Sequence, residues 1–561
     1  MKAISSIGSI SVRRSSIRVS KGAVSALALL SSVGAFACGV DERTLCADAS
    51  CRAVEPAPPA GPGTPAPAPG MPAAAPRTGS EAPGEGSNPE LPLAGNTDTP
   101  AAQPTPAAPA APPGPPVFGD ARALLDATVR FYGAQRSGDG ANWLLAGGTC
   151  HMNDGEAIQA DLTGGWYDAG DHVKVTLSIA YASYVMLKAY DAFPEAFGDN
   201  DSQRYEGAPN LVPDVLDEAR YATDYLVKAH VGEAELVGMV GNAQADHRQW
   251  VGCQQQEALA ENMGGRPRVV NMDANADVSG ITAAALALMS RLYRPFNAEL
   301  ADTYQTHATQ IYQIGKANPT GSNPGLYGQN GEAWLDEMLA GAAEMYRLTS
   351  DQAYLADALD FNARIESHGW APNYSQSADF SRHSLYVGGA ADAVGEFWRL
   401  DVESYAAKVS TNENTNGAVY IDEWGMLRYA AGAAFSAALY FQVSGDTAAR
   451  DLAISQLNYI AGDNSYQRSF VIGVGNNPPQ NPHHRNSDTL GVLLTGALVA
   501  GPTQRAFTQG QGAAAIVITE PGYQDITEDY VGNEVALDYN AGVVGLSAFG
   551  VLQQRLANPI Q

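Results

Sequence analysis

Apolar residues recur at three- and four-residue spacing along most of the chain after residue 118, which is the pattern of helices with a buried face. Strand-like alternation is scarce, and no strand pattern alternates regularly with a helix, so a parallel sheet is not expected. Many helical segments are rich in alanine, which lets neighbouring helices approach closely. About twelve helices are predicted, at residues 121–136, 177–193, 212–229, 280–292, 299–316, 333–348, 354–365, 385–400, 422–443, 448–461, 489–499 and 541–556.

The segments between these helices indicate where the function lies. Ser279 and Asp351 are predicted N-caps, because their short polar side chains can accept hydrogen bonds from free amides at a helix start. The connecting segments are long and rich in Gly, Asn and Pro, and loops of that length in a compact domain are usually functional. The pattern therefore predicts an all-α fold, with helices around a closed ring and active loops at one end.

The first 117 residues have a different pattern. Basic residues precede a short apolar run at 23–33 and an Ala35-Phe36-Ala37 cleavage pattern, which together predict a signal peptide over residues 1–37. The apolar run is too short to span a membrane. Residues 38–117 contain cysteines and then mostly Pro, Ala and Gly, which predicts a disordered linker before a folded domain at 118–561.

The cysteines fit a protein exported to an oxidising compartment. Cys38 directly follows the predicted cleavage point, so a bacterial lipid anchor on Cys38 is an alternative to free secretion. Cys46 and Cys51 are spaced for a local disulfide, whereas pairing of Cys150 with Cys253 is left open by the sequence. We expect a secreted or bacterial cell-surface protein.

The charge of the chain limits its partners. Among 561 residues, 33 Lys and Arg oppose 60 Asp and Glu, which gives a formal net charge of −27. An acidic chain without basic runs is a poor ligand for nucleic acids and anionic membranes. It fits a protein that acts on a neutral substrate.

A first candidate for chemistry is the segment DLTGGWYDAGDHVK at residues 161–174. Its three glycines permit backbone conformations that side chains forbid, so it predicts a tight loop. Asp168 and Asp171 can converge on this loop, and crowded carboxylates separate in pKa, which suits acid–base work on water. Trp166 and Tyr167 beside them suit the flat faces of sugars. A turn that only caps a helix or binds calcium is the alternative.

A second candidate is the segment GNNPPQNPHHR at residues 475–485, which predicts a rigid loop ending in His483, His484 and Arg485. Clustered imidazole and guanidinium groups suit sugar hydroxyls and can orient a carboxylate. A metal site, a phosphate site, or a loop pinned by Arg–carboxylate pairs are the alternatives.

A third candidate is the segment YQDITEDYVGNEVALDYNA at residues 523–541, which carries five acids and neither Lys nor Arg. Interleaved tyrosines, Val535 and Leu537 indicate that some of the acids are partly buried, although a solvated acidic face is the usual alternative. A desolvated Glu has a raised pKa and can hold a proton near neutrality, as a general acid for a glycosidic oxygen must.

Together the three segments resemble glycoside hydrolase family 9, the large endoglucanase family, and segments 245–250, 420–430 and 462–464 are also similar to it. The resemblance runs from about residue 118 to the C-terminus. It implies an (α/α)6 barrel and an inverting endo-β-1,4-glucanase that hydrolyses cellulose or related β-glucans. Exo action, or specificity for xyloglucan or mixed-linkage glucan, is the alternative within enzymes. A catalytically silent surface protein that binds glycans is the alternative from another class.

The same resemblance implies roles for individual residues. Asp171 is expected to be the general base that activates water, with Asp168 helping to hold that water, and Glu534 the general acid. Inversion needs the two reacting carboxyls roughly 6.5–9.5 Å apart, with room for a water between them. The other expected site residues are His483 and Arg485 at the cleaved sugar, Asp525 in the active-site signature, and His247, Trp250, Tyr420 and Trp424 along the cleft.

No cofactor is expected to be required. A structural zinc site found in some relatives is expected to be incomplete, because Tyr167 stands where a histidine ligand would be and Ser137 lies near a missing cysteine. Asp336 and Glu337 resemble part of a calcium site, so they are candidate ligands for a structural ion.

One departure from the relatives concerns the cleft. Residues 375–387 lack a Ser-Trp-Asp segment that is common in the family, and this is expected to alter the cleft and the substrate preference. We expect a monomer whose partner is a β-glucan and that binds no nucleic acid.

Overall fold

The computed structural model describes residues 114–558, except 140–141, 147, 200–208, 330, 367–368 and 510–515. These residues are mostly helical. The α-helices are α1 (Ala121–Gln135), α2 (Thr176–Ala192), α3 (Asp214–Ala229), α4 (Ala243–Asp246), α5 (Cys253–Gln256), α6 (Ala276–Tyr293), α7 (Ala298–Ala317), α8 (Leu335–Thr349), α9 (Gln352–Arg364), α10 (Ala378–Leu385), α11 (Ala391–Ala407), α12 (Met426–Ser444), α13 (Thr447–Ala461), α14 (Arg485–Leu490) and α15 (Leu537–Ala557).

Six helices form a closed inner ring in the order α2, α6, α8, α10, α12 and α15, and α15 packs back on α2. Helices α1, α3, α7, α9, α11 and α13 pack against the outside of this ring. The inner helices α2, α6, α12 and α15 are buried on nearly every side, whereas α3, α7 and α9 bury one face. This difference follows from their sequences, since a helix that is apolar all round has to be buried. The all-α ring expected from the sequence is confirmed, and its paired layers are an (α/α)6 arrangement.

Small residues set the spacing of the inner helices. A Cβ atom on Gly280 of α6 would lie 2.5 Å from the backbone of Glu337 in α8. A Cβ atom on Gly542 of α15 would lie 2.9 Å from the amide nitrogen of Gly432 in α12. Interiors are packed to crystal-like density, so larger side chains at these positions would push the ring apart.

The strands are short and antiparallel. Strands β1 (Lys174–Val175), β4 (Met239–Val240) and β5 (Val270–Asn271) form one sheet, in which Lys174 pairs with Val240 and Val240 with Val270. This sheet fixes the end of the 161–174 loop against the segment that leads to α4. The other strands are β2 (His230–Gly232) with β3 (Glu235–Leu236), and β6 (Phe507–Gln509) with β7 (Ile516–Thr519).

Two predicted helices are wrong, and glycine is the reason in both. The helix predicted at 489–499 is absent, because α14 ends at Leu490 and is followed by Gly491 and Gly496 with φ of +63° and +93°. The helix predicted at 385–400 is broken, because a π-helical turn at Tyr386–Ala390 separates α10 from α11 and contains Gly389 with φ of +96°. Apolar periodicity continues through such glycines although the backbone does not.

One of the two predicted N-caps, Asp351, is confirmed. Asp351 is the N-cap of α9, and its side chain accepts a hydrogen bond from the amide of Ala353, as predicted. The prediction for Ser279 is wrong, because α6 begins at Ala276 with Asn275 as its N-cap. Ser279 lies one turn inside the helix.

The predicted signal peptide, Cys38, the Cys46–Cys51 pair and nearly all of the linker lie outside the described residues. Within the described residues, none of the helices has the combination of length and apolarity that crossing a membrane requires. Cys150 and Cys253 form a disulfide, which settles the pairing that the sequence left open.

Candidate active site

The loop at residues 161–174 is held in shape from within. Gly164 and Gly165 have φ of +88° and +70°, the left-handed region that glycine adopts freely. The buried ammonium of Lys174 donates hydrogen bonds to two carbonyls of the same loop. Trp166 and Tyr167 are buried, so these rings pack the interior and offer no face to a sugar.

Two of the three aspartates in this loop lie close together. Asp161 is at the surface, where it pairs with Lys228 at 2.8 Å. Asp168 is buried, and burial together with the nearby charge of Asp171 raises the pKa of the Asp168 carboxyl well above its ordinary value. The expected convergence of Asp168 and Asp171 is therefore present.

Protein donors hold both carboxylate oxygens of Asp168. Its Oδ1 accepts a hydrogen bond from the Ser178 hydroxyl, and its Oδ2 accepts one from the Tyr327 hydroxyl at 2.6 Å. Its backbone carbonyl accepts from the amide of Leu537 at 2.9 Å. Asp168 thus ties the first candidate segment to the third.

Asp171 is only partly buried, and its two oxygens differ. Its Oδ2 lies 2.7 Å from Nε2 of His247, which fixes the orientation of the carboxylate. Its Oδ1 has no hydrogen-bond partner among the described residues. Oδ1 is buried and unpaired, so it can still accept a hydrogen bond from a water that enters the site.

Glu534 is held through one of its oxygens. Its Oε2 accepts hydrogen bonds from Nε1 of Trp424 at 2.9 Å and from the hydroxyl of Tyr539 at 3.2 Å. Burial raises the pKa of the Glu534 carboxyl, and the charge of Asp171 adds to this increase. Because both donors use Oε2, a proton held by Glu534 belongs on Oε1.

The histidine segment lies between the other two segments. The amide of His483 donates to the carbonyl of Asn533 at 2.9 Å, and the backbone of His483 pairs with that of Glu534. The amide of Arg485 donates to the carbonyl of Gly170 at 2.9 Å. A Cβ atom on Gly170 would lie 2.1 Å from the His483 carbonyl oxygen, so this glycine is needed for space and not for a positive φ. All three candidate segments therefore meet at one place.

His483 has a defined tautomer. Its Nδ1 lies 2.7 Å from the carbonyl oxygen of Thr527, which can only accept, so the proton is on Nδ1. Burial lowers the pKa of His483. The ring is therefore neutral near pH 7, and its Nε2 can accept a hydrogen bond. The centroid of the His483 ring lies 4.6 Å from that of Trp250.

The structure places Arg485 differently from the expected sugar contact. Arg485 is only 3% exposed, and its guanidinium donates to the carboxylate of Asp246 and to the carbonyls of Asp246 and Gln249. A buried guanidinium requires such a counter-charge. His484 is also buried, where it accepts from the amide of Ser487 and caps α14. Arg485 and His484 therefore stabilise the segments around the site through buried hydrogen bonds.

The three aromatic residues expected along the cleft differ in how exposed their rings are. Trp250 is 42% exposed, and its Nε1 donates to Asp488 at 2.6 Å, so its ring is a fixed face open to a ligand. Trp424 is partly buried, and its Nε1 donates to Glu534. Tyr420 is partly buried and packs against the core.

Asp525 fixes the start of the histidine segment. Its carboxylate accepts hydrogen bonds from the backbone amides of Gln480 and Asn481, each at 2.9 Å. Arg468 lies 3.5 Å from the same carboxylate. Asp525 therefore acts on His483 through the backbone that leads to it.

The calcium candidates are two buried acids at the start of α8. Burial raises the pKa of Asp336 to about 6 and that of Glu337 well above its ordinary value. Glu337 Oε2 has no partner among the described residues, whereas Asp336 Oδ2 already accepts from the amide of Ser377. Calcium takes six to eight oxygens, so these two side chains alone do not make a complete site. Calcium here stays a prediction.

Tyr167, one of the two residues that make the expected zinc site incomplete, lies beside a disulfide. Cys150 forms the disulfide with Cys253, and both pack against Tyr167. One other group, Asp171, Asp246 and His247, brings three potential ligand atoms within 4.8 Å of one another. Its members already bind each other and Arg485, and these contacts explain the cluster without an ion.

Several contacts in the site could not be found from the sequence. Tyr327 reaches Asp168 from a segment 159 residues away that carries no motif, and Ser178 reaches it from the start of α2, just beyond the 161–174 loop. Asp246 lies next to His247 in the family-like segment 245–250, but its partner Arg485 is 239 residues away. Tyr539 could have been proposed from the sequence, since it lies five residues after Glu534 within the third segment.

Comparisons with known proteins agree with this architecture. A model of glycosyl hydrolase family 9 matches residues 122–547. Endoglucanase A of Bacillus pumilus is 30% identical over 479 residues, which covers 78% of this chain and 67% of that protein. The cellulase Cel9M of C. cellulolyticum has a similar crystal structure, with a TM-score of 0.68, 28% identity, and coverage of 78% of this chain and 99% of that one. Its complex with cellobiose aligns with a TM-score of 0.67 and 27% identity.

The ring of paired helices and these relatives define a glycoside hydrolase. The chain belongs to glycosyl hydrolase family 9, because the family model covers most of the folded domain.

Proposed function

We propose that this protein is an inverting endo-β-1,4-glucanase, with Glu534 as the general acid and Asp171 as the general base. The observation that carries the proposal is the contrast between these two carboxyls. Glu534 has a raised pKa and both its protein donors on one oxygen, while Asp171 is fixed by His247 through one oxygen and has no hydrogen-bond partner on the other.

The acid step follows from the surroundings of Glu534. A raised pKa keeps the carboxyl protonated at higher pH than an exposed Glu, so it can donate its proton to the leaving glycosidic oxygen. With Oε2 held by Trp424 and Tyr539, the proton leaves from Oε1. Once the C–O bond breaks, Glu534 is a carboxylate that these same donors stabilise.

The base step uses Oδ1 of Asp171, the oxygen without a protein hydrogen bond. A water on Oδ1 gives its proton to the carboxylate while its oxygen attacks the anomeric carbon from the face opposite the leaving group, which inverts the configuration. Asp168 lies beside Asp171 and retains lone pairs that can accept from the same water. Solvent then takes the proton from Asp171 and returns one to Glu534.

The substrate is a β-1,4-glucan. Endoglucanase A of Bacillus pumilus is named for that activity, and Cel9M has been crystallised with cellobiose. In this chain, Nε2 of His483 and the exposed face of Trp250 are the groups best placed for sugar hydroxyls and sugar faces. Asp525 and Arg485 keep them in position.

Export and display of the enzyme complete the proposal. We infer that the protein is secreted or held at a bacterial cell surface, with residues 38–117 as a tether and Cys38 as the site of a lipid if one is attached. It acts as a monomer and needs no cofactor for the chemical step, since both proton transfers use its own carboxyls.

Two pairs of variants test the roles. Glu534→Gln and Asp171→Asn should each lower kcat on a soluble cellulose derivative by about 10²–10⁴-fold or more while the melting temperature stays near that of the wild type. Glu528→Gln and Asp161→Asn are the matched controls, because they change exposed acids in the same two segments and should keep activity.

The stereochemistry of the first product tests the mechanism. NMR of fresh digests of cellopentaose should show the α-anomer at the newly formed reducing end. A β-anomer, or wild-type turnover in both Glu534→Gln and Asp171→Asn, would refute the proposed roles. Glucan binding by the wild type without release of reducing ends would favour the glycan-binding alternative. Release of one product from chain ends only would favour exo action.

A further inference from the structure

The residues at the expected zinc position do not fit a metal ion. Zinc takes thiolate and imidazole ligands, and the hydroxyls of Ser137 and Tyr167 offer neither. The sulfur of Cys150 is bonded to that of Cys253, so it is not a free thiolate. The one cysteine that stands at this position is therefore used in a disulfide.

A permanent cation also lies at this position. Nη1 of Arg268 is 2.8 Å from Nδ1 of His151 and 2.9 Å from Nε2 of the same ring. Asp154 balances part of the charge, since one of its oxygens lies 3.7 Å from Arg268 and the other 2.8 Å from the buried ammonium of Lys174. One carboxylate thus faces two cations, and a divalent ion beside them would be repelled.

One end of the disulfide is seated on the loop that carries the proposed base. The backbone of Cys150 exchanges two hydrogen bonds with that of Gly138, at 3.0 and 3.2 Å. Both half-cystines pack in one cluster with the ring of Tyr167. Asp168 follows Tyr167 directly, and Asp171 lies three residues further along the chain. A displacement of Cys150 would therefore be transmitted to both aspartates through the loop.

The other end of the disulfide lies in a segment, residues 246–256, that carries two groups of the site. Its His247 fixes one oxygen of Asp171, and its Trp250 presents the exposed ring. Cys253 lies six residues after His247 and three after Trp250. Apart from the end of α4, the regular structure of this segment is the four-residue α5, and a helix that short does not hold its own shape.

Polar contacts also connect this segment to its surroundings. Oε1 of Gln256 lies 2.8 Å from Nδ1 of His172, which follows Asp171 in the chain. The amide of Cys253 donates to Oδ1 of Asn486 at 2.8 Å. Each of these contacts forms only when the segment is already in place, whereas the S–S bond holds the segment covalently.

We propose that the Cys150–Cys253 disulfide, and not a metal ion, positions His247 on the proposed base, so that turnover of the folded enzyme depends on the oxidised state of this pair. The bond fastens the segment 246–256 to the loop 161–174 and keeps His247 on Asp171. Both cysteines are buried, so they act through the segments they join. This inference rests on the proposed function, since it concerns the position of the same base.

Reduction of the wild type tests this role. Dithiothreitol gives two electrons and two protons to the pair: its two thiols become a cyclic disulfide, and the S–S bond of Cys150 and Cys253 breaks to give two thiols. Turnover of a soluble cellulose derivative is measured before and after reduction, well below the melting temperature, and circular dichroism checks that the domain stays folded. We expect kcat to fall by roughly 10–10²-fold, because a shift of about 1 Å in a catalytic group costs up to about that factor.

A second background separates positioning from a general loosening of the fold. In His247→Ala the contact that the disulfide maintains is already absent, so reduction should change kcat by no more than about twofold. An equal loss in the wild type and in His247→Ala would overturn the proposal. An unchanged kcat in reduced wild type, with the thiols of Cys150 and Cys253 shown to be free by a thiol reagent, would overturn it as well.

Two double variants control for the chemistry of the reductant. Cys150→Ala with Cys253→Val removes the bond and keeps an apolar pair of similar volume. Without reductant it should show the turnover of the reduced wild type, and dithiothreitol should have no further effect. If reduction unfolds the wild type, this variant carries the test, and wild-type turnover in it would overturn the proposal. Cys46→Ser with Cys51→Ser changes the cysteines of the predicted linker and should keep the full response to dithiothreitol.

Metal and binding measurements complete the test. A chelator should leave the oxidised enzyme unchanged, and zinc added once the reductant has been removed under argon should restore no turnover; recovery that depends on zinc would overturn the proposal. An oxidised wild type that releases no sugar would overturn the proposed function alone. Calorimetry then decides the role of the disulfide, because Trp250 shares a segment with Cys253 and reduction should weaken cellohexaose by about two- to tenfold. An unchanged affinity would overturn that role.

Discussion

The buried pair of Arg485 and Asp246 gives the sharpest test of how the site is built. Replacing Arg485 by Met removes the guanidinium and leaves the Asp246 carboxylate buried without its main counter-charge. Breaking a buried ion pair in this way costs about 3–5 kcal/mol. Unfolding entropy near 60 °C is about 2.1 cal/mol/K per residue, so a domain of this size should lose about 3–5 °C in melting temperature.

The pH dependence of this loss has a definite sign. Burial alone would raise the pKa of Asp246, but the charges of Arg485 and His172 outweigh it and hold the pKa well below the ordinary value. The pair therefore contributes stability above the unfolded pKa of about 3.9, and this is lost as pH falls through the lower folded pKa. In Arg485→Met, protonation of Asp246 relieves the unpaired charge. The deficit should thus be largest near pH 7 and smaller near pH 4.

Calorimetry and kinetics together decide the role of Arg485. Removing both charges, in Arg485→Met with Asp246→Asn, should cost less stability than Arg485→Met alone. Arg399→Met is the control, since Arg399 pairs with Glu396 and Glu403 at the surface and should leave the melting temperature unchanged. If Arg485→Met kept its melting temperature at pH 7 but lost turnover, the guanidinium would contact the sugar directly and the positioning role would be refuted.

Three further predictions follow from the site and its surroundings. Tyr539→Phe removes a hydrogen bond that lowers the pKa of Glu534, so the alkaline limb of kcat/KM against pH should move to higher pH; a limb that stays in place would contradict this role. The Cys150–Cys253 disulfide closes a loop of 103 residues, for which chain entropy allows about 4.7 kcal/mol, so a reducing agent should lower the melting temperature of the wild type and leave Cys253→Ser unaffected. Burial raises the pKa of Asp336 to about 6, so a bound calcium ion would find this acid ionised at pH 7 more than at pH 5. Calcium should therefore raise the melting temperature more at pH 7, and an equal melting temperature in calcium and in chelator would exclude the ion.

The helical ring was predictable because its signal is local. Each inner helix carries an apolar pattern of its own, and alanine and glycine at the crossings allow the close packing that closes the ring. The errors arose where that pattern continues through a glycine with a positive φ, as at Gly389 and Gly491. Periodicity reports which face is buried, but it does not report where the backbone turns.

The site was predictable only as far as it is contiguous in the chain. Asp168, Asp171 and Glu534 stand in segments whose composition and family resemblance identify them. The donors that give these acids their properties come from elsewhere: Tyr327 for Asp168 and His247 for Asp171. Such partners are chosen by the fold, so no pattern of neighbouring residues specifies them.

A simple physical criterion separates the residues that hold the site from those proposed to react. Asp168, Arg485 and Asp525 each have their polar atoms bonded to protein groups on both sides of the charge. Asp171 and Glu534 instead direct one oxygen each to protein donors, and the described residues supply no hydrogen bond to the other. A buried polar atom without a partner costs free energy, and in the proposed mechanism the attacking water supplies the bond that Oδ1 of Asp171 lacks. The family resemblance implies different roles for these five residues, and the pattern of paired and unpaired oxygens is consistent with the proposed division.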